Sequence, residues 1–141
     1  MKLWIAALAL TVLSHSVWAE VQVTDFNIRE VLPGRSMTAG YLTVSNKNDK
    51  AVELTAVSSP MFDAIELHMS SQKDGMMHME QLPSVTIAAG DTLRFQPGAL
   101  HLMLFDVKAS IAVGEKIPVS LTFKDGTTLE VLATISAIPT H

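Results

Sequence analysis

Residues 117–136 read IPVSLTF-KDGT-TLEVLATIS, and this stretch gives the clearest indication of the fold. On either side of the KDGT tetrapeptide, β-branched and apolar residues alternate with polar ones, which is typical of half-buried β-strands. The Asp125-Gly126 pair between the two runs is a strong signal for a tight turn. The stretch therefore predicts a β-hairpin formed by Ile117–Phe123 and Thr128–Ser136.

Runs of the same kind fill the chain upstream of this hairpin. They are Val21–Ile28, Thr38–Ser45, Ala51–Val57, Phe62–Met69, Met77–Leu82, Val85–Ile87, Thr92–Phe95 and Leu100–Val107. Gly, Pro, Asn and Ser residues separate most of them, which is typical of turns. Many short strands with frequent turns predict an all-β fold, an antiparallel sandwich or barrel. Ala109–Glu115 reads either as a loop or as a single helical turn.

The first 19 residues, MKLWIAALALTVLSHSVWA, have the features of a secretory signal peptide. Lys2 is followed by an apolar run over residues 3–13, and the small residues Val17 and Ala19 precede the expected cleavage point. We expect residues 1–19 to be removed and residues 20–141 to form a single β domain that is exported and not embedded in the membrane. The alternative is an anchor that stays in the membrane, although the apolar run is short for one.

Composition excludes several classes of protein. The formal net charge of -4 gives no basic excess, which argues against a nucleic-acid partner. The chain has no cysteine, which rules out disulfides, thiolate zinc sites, iron–sulfur clusters, thiol catalysis and lipid attachment at a cysteine. The soft metal ligands that remain are the thioethers of methionine and the imidazoles of histidine.

Histidine and methionine are concentrated in one part of the chain. The segments are His68-Met69, Met76-Met77-His78-Met79 and His101-Leu102-Met103. Imidazole and thioether together favour a soft monovalent ion, and neither group is charged at neutral pH, so Cu(I) fits better than Zn²⁺ or Ca²⁺. We therefore expect a Cu(I) site here.

Strand alternation narrows the choice of ligands. His101 and Met103 project from one side of their strand, and Leu100, Leu102 and Leu104 project from the other, towards the core. In the strand that contains His68, Met69 lies on the opposite, apolar face and reads as a core residue. Two histidines and one methionine are thereby selected.

The fourth ligand is left open between Met77 and Met79, which share a face. His78 points away from both of them. Whether His78, Met76, Met77 or His141 contributes to a secondary site is also left open.

The spacing His68-x10-Met79-x21-His101-x-Met103 resembles the motif of the PCuAC family of periplasmic copper chaperones, H-(M)-x10-M-x21-H-x-M. Met69 fills the optional position. The resemblance continues through Ala39–Asn46 and Pro97–Leu104 and covers essentially the whole of residues 20–141.

This resemblance implies a cupredoxin-like antiparallel Greek-key β-fold and one Cu(I) per chain, bound by His68, Met79, His101 and Met103. It also implies delivery of copper to the cytochrome c oxidase copper centres, with an oxidase subunit or another exported copper chaperone as partner. Some members of the family carry a C-terminal His/Met-rich extension that adds a Cu(II) site, and we do not expect such a site after Ile138-Pro139-Thr140-His141.

We therefore expect a periplasmic, monomeric metallochaperone that is not an enzyme. The main alternative is a periplasmic copper or silver buffer, or a resistance protein, without a dedicated acceptor. A blue-copper electron carrier requires a cysteine ligand, which the chain does not have. A metalloenzyme requires a general base, and Glu66 and Glu80, the nearest acids in sequence, match no catalytic pattern.

Overall fold

The computed structural model describes residues 20–139, so the signal-peptide prediction and His141 lie outside the described residues. Ten strands follow one another along the chain: β1 (Val21–Arg29), β2 (Met37–Asn46), β3 (Val52–Ser58), β4 (Phe62–Lys73), β5 (Met76–Leu82), β6 (Val85–Ile87), β7 (Thr92–Arg94), β8 (Leu100–Val107), β9 (Lys116–Phe123) and β10 (Thr128–Ser136). The all-β prediction is confirmed. Ala109–Glu115 is a loop, the first of the two readings of that segment.

Seven of the strands close into a barrel in the order β4-β8-β2-β1-β10-β9-β3, and β3 pairs back onto β4 through Val57 and Ile65. β5 extends the sheet beyond β4, β6 pairs with β3, and β7 pairs with β2. All ladders are antiparallel except that between β1 and β10, where Asn27 lies opposite Thr134 in a parallel pair. A ring of seven strands cannot alternate direction throughout, so closure requires one parallel pair in the predicted antiparallel barrel.

The barrel interior holds the hydrophobic core. Leu100, Leu102 and Leu104 of β8 are all buried, as their alternation predicts, and β9 buries its apolar residues at every second position in the same way. Since successive side chains of a strand point to opposite faces, the residues between these core positions face outwards. The side chains on the outer face of the barrel are thus not part of the core and can form a binding site.

β4 is four residues longer than the sequence predicts. Ser70–Lys73 lack apolar alternation, and three of these four residues are exposed, so the sequence offers no reason to extend the strand past Met69. In the structure they pair with the start of β5 across a two-residue turn, Asp74-Gly75, whose φ angles of 55° and 75° are those of a tight hairpin turn. This hairpin fixes how β5 aligns with the histidine-bearing strand.

Among residues 20–139 there is no helix of the length and apolarity needed to cross a membrane.

Candidate metal centre

β4 and β8 are neighbours in the barrel, and their register brings the two predicted histidine ligands together. His68 lies directly opposite His101, and Glu66 lies opposite Met103. Directly opposed residues of an antiparallel pair project from the same face. His68, His101 and Met103 therefore share the outer face of the barrel, as their positions in the two strands predict.

β5 brings the second methionine to the same face from the other side of β4. Met79 lies opposite Ser70, two residues beyond His68, which makes Met79 a diagonal neighbour of His68. Met77 is also on this face but lies opposite Gln72, further from His68. Of the two methionines that the strand pattern leaves open, the structure thus brings Met79 closer to His68.

The remaining histidine and methionine of β5 are on its opposite face. His78 lies opposite Ser71, and Met76 lies opposite Lys73 at the turn. Both are exposed. The structure does not bring His78 to the face that carries His68 and His101, which agrees with its position in the alternation.

His101 is held in one tautomer by the backbone. Its Nδ1 donates a hydrogen bond of 2.9 Å to the carbonyl oxygen of Ala99, which can only accept. The lone pair of Nε2 is consequently left free, which is the usual arrangement for a metal-binding histidine whose other nitrogen is anchored. Although His101 lies on the outer face of the barrel, only 5% of its surface is exposed.

His68 is anchored through its other nitrogen. Its Nε2 lies 2.7 Å from Oε2 of Glu66, so the ring donates a hydrogen bond through Nε2 to this side-chain oxygen. Nδ1 of His68 is buried and has no hydrogen-bond partner among residues 20–139. A buried nitrogen whose lone pair has no partner raises the free energy of the folded protein. Nδ1 of His68 is therefore available to coordinate a metal ion.

The geometry of the His68 and His101 rings is compatible with both binding one metal ion. Their centroids are 5.9 Å apart and their planes are inclined by 42°, so the rings do not stack. The centroid of the Phe105 ring lies 6.5 Å from that of His68. Met79 is 57% exposed, so the proposed site is open to solvent at β5.

A site for a hard metal ion is not formed by these residues. Within the described part of the chain, no three His, Cys, Asp or Glu side chains are placed to hold one ion. Glu66 thus accompanies His68 as a hydrogen-bond partner and not as a member of a carboxylate cluster.

Sequence reasoning left Glu66 without a role, and it missed Ala99. The signal for Glu66 was available, because a residue two positions before His68 in a strand lies on the same face. No signal marks Ala99, since it acts through a backbone carbonyl that every residue type possesses.

Known proteins resemble this chain in sequence and in structure. Residues 21–135 match the family described as "Putative lipoprotein LpqE-like". The putative lipoprotein Lxx21020 of Leifsonia xyli subsp. xyli is 35% identical over 96 residues, 67% of this chain and 58% of its own length. Protein RP573 of Rickettsia prowazekii is 29% identical over 93 residues, 65% of this chain and 51% of its own length. This chain spans between half and three fifths of the length of these two relatives.

Solved structures share the fold. The copper-bound PCuAC domain from PmoF2 superposes with a TM-score of 0.72, covering 84% of this chain and 94% of that domain, at 19% identity. The Cu(I) form of DR1885 from Deinococcus radiodurans has a TM-score of 0.66 at 32% identity, covering 82% of this chain and 76% of that chain.

These matches confirm the predicted cupredoxin-like fold and the resemblance to PCuAC proteins. Because the family match runs through nearly every strand of the barrel, the chain belongs to the LpqE-like family of PCuAC-related proteins.

Proposed function

We propose that this protein is an exported metallochaperone that binds one Cu(I) through His68, Met79, His101 and Met103. The observation that carries the proposal is a pair of imidazole nitrogens beside two thioethers on one face: Nδ1 of His68, which has no hydrogen-bond partner among residues 20–139, and Nε2 of His101, whose lone pair is left free by the Nδ1 hydrogen bond. Imidazole and thioether ligands without thiolate or a carboxylate cluster favour Cu(I) over Zn²⁺.

The relatives support this proposal. DR1885, at 32% identity, has been solved with Cu(I), and the PmoF2 domain, which has the same fold, has been solved with copper. The expectation that this protein is not an enzyme agrees with these copper-binding relatives and remains a prediction.

The exposure of the proposed ligands suggests an order in which they are exchanged. Both histidines are largely buried on adjacent barrel strands and are oriented by fixed hydrogen bonds, whereas Met79 is on the edge strand β5 and is mostly exposed. A ligand from an acceptor protein would therefore replace Met79 first, while the histidines still hold the ion. Stepwise exchange of this kind allows transfer without releasing free copper.

An anaerobic titration of residues 20–141 with Cu(I), against a chromophoric competitor, tests the proposal. We expect one equivalent to bind tightly, Ag(I) to bind similarly, and Zn²⁺ to bind weakly because thioethers are poor zinc ligands. Zn²⁺ binding as tight as Cu(I) binding would contradict the proposal that Met79 and Met103 are ligands.

We further propose that the protein delivers Cu(I) to a cytochrome c oxidase copper centre in the periplasm. Incubation of the Cu(I)-loaded protein with an apo oxidase copper-centre fragment tests it, and we expect the metal to appear on the fragment. Retention of the metal by the loaded protein, with an acceptor that binds Cu(I) more tightly, would favour the alternative of a copper or silver buffer.

A further inference from the structure

A second polar feature lies on the outer face of the barrel, apart from the four proposed metal ligands. It is a cleft of about 360 Å³ over β10, β1, β2 and β7. Arg29 and Arg94, two of the three arginines in the sequence, line it. The register places Asn27 opposite Tyr41 and Thr43 opposite Arg94, so these side chains share one face.

Neither guanidinium in this cleft is neutralised. Among residues 20–139, no carboxylate oxygen is within the 4.0 Å of an ion pair from Arg29 or Arg94, whereas Lys108 and Lys124 both have such partners. The guanidinium carbon of Arg29 lies 5.0 Å from the centroid of the Tyr41 ring. This cation–π contact holds Arg29 in position but uses none of its N–H donors.

The lining of the cleft defines the ligand that fits it. Asp25 is the carboxylate side chain that lines it, so the two arginines leave a formal charge of +1, which suits a monoanion better than a phosphate dianion. The floor contains Leu42 and Phe95, which are each 2% exposed and apolar. Guanidinium groups bind carboxylates through two parallel hydrogen bonds.

We propose that this cleft binds a carboxylate carried on an apolar body, either a small monocarboxylate or the C-terminal residue of a peptide. The cleft adjoins the proposed metal site, because Tyr41 is two residues along β2 from Ala39, which lies opposite Met103. The charge and the apolar floor of the cleft do not depend on copper. The carboxylate proposal is therefore independent of the proposed metallochaperone function.

Titration of the metal-free protein at low ionic strength, followed by NMR shifts of the arginine Nε–Hε groups, tests the proposal. The probes are butyrate, the peptide Ala-Ala-Leu with a free carboxylate, and the same peptide with an amidated C-terminus. We expect saturable shifts at Arg29 and Arg94 with at least one carboxylate probe, and binding of the amide weaker by about tenfold or more. Salt should weaken the binding, since exposed charges are screened.

Three variants make the test specific to the cleft. Arg94→Gln should weaken binding, and Arg35→Gln is the matched control, because Arg35 is an exposed arginine outside the cleft. Asp25→Asn should strengthen binding by removing like-charge repulsion. Asp25 has a φ of 52°, a conformation that Asn adopts readily, so this variant should fold normally.

Saturation by butyrate would assign the cleft to small monocarboxylates, and saturation by the free peptide alone would assign it to peptide C-termini. The proposal is overturned if neither carboxylate probe saturates or if the amide binds as well as the acid. An equal loss of binding in Arg35→Gln and Arg94→Gln would overturn it as well.

Discussion

At the scale of single residues, a methionine on a strand of the proposed metal site can act as a metal ligand, as a packing residue, or as both. Met103 is half-buried on β8, between core leucines, so both a ligand role and a packing role are open to it. Met69 is also on a strand of the site, but it packs against the core from the opposite face. The two methionines thus form a matched pair for separating sulfur chemistry from packing.

We predict that Met103→Leu weakens Cu(I) binding by about tenfold or more and leaves the stability of the metal-free protein almost unchanged. The substitution removes the sulfur but keeps volume and apolarity, and such exchanges usually cost less than about 1.5 kcal/mol. Met69→Leu should change neither quantity. Competitor titration and chemical denaturation measure the two effects, and wild-type affinity in Met103→Leu would show that Met103 is only a packing residue.

Glu66 provides a second prediction at this scale. Its hydrogen bond fixes His68 with Nδ1 free, and the loss of such a partner usually lowers metal affinity by about 10–100-fold. We expect this loss in Glu66→Ala, which removes the acceptor, measured by the same anaerobic titration. Glu80→Ala is the control, since Glu80 lies opposite Met69 and so faces away from the site. If both variants keep wild-type affinity, Glu66 does not position His68.

At the scale of the elements, the end of β2 is secured by one buried amide. The predicted strand ends at Ser45, but the structure continues β2 through Asn46 and buries this residue completely. Its Nδ2 lies within hydrogen-bond distance of the carbonyl oxygens of Lys50, Ile87 and Ala88, at 2.9, 3.0 and 3.3 Å. One side chain therefore connects β2 to the turn before β3 and to the end of β6.

Asn46→Asp should destabilise the fold by about 3–5 kcal/mol, because it replaces the donating amide with a buried carboxylate oxygen that faces three carbonyl oxygens. The free energy of unfolding from chemical denaturation measures this loss. Asn48→Asp is the matched control, since Nδ2 of Asn48 makes no hydrogen bond within residues 20–139 and its loss should cost much less. Equal losses in the two variants would mean that the hydrogen bonds of Asn46 do not stabilise the end of β2.

At the scale of the whole molecule, Glu53 connects parts of the chain that are distant in sequence. The hydroxyl of Ser84 donates to its carboxylate at 2.7 Å, and Nζ of Lys124 lies 3.5 Å away. These contacts, first the hydrogen bond from Ser84 and then the charge of Lys124, lower the pKa of Glu53 below its ordinary value of 4.5. The carboxylate thereby links β3 to the β5–β6 turn and to the β9–β10 turn.

A lowered pKa makes this link dependent on pH in a defined direction. The folded protein holds the ionised form more favourably than the unfolded chain does, so the contribution to stability is present above pH 4.5 and is lost as pH falls through the lowered pKa. Glu53→Gln should be less stable than the wild type at neutral pH and equal to it in strong acid. Unfolding curves across this range test the prediction, and a difference that does not vary with pH would contradict it.

Apart from the last four residues of β4, the sequence by itself determined where the strands lie, their inward and outward faces and the chemistry of the proposed ligands. These follow from alternation and residue type, which are local properties. Leu102 faces the core and His101 faces outwards for this reason. Alternation and residue type select His68, His101 and Met103 and leave Met77 and Met79 open, while the resemblance of the spacing to the PCuAC motif implies Met79.

Only the tertiary structure decided which strands are neighbours and in what register they pair. It placed His68 opposite His101, chose Met79 over Met77 as the methionine beside His68, and joined Glu66 to His68. It also required the parallel β1–β10 pair, because a barrel of seven strands cannot close without one. Register and closure depend on hydrogen bonds between residues far apart in the chain, and no local pattern contains that information.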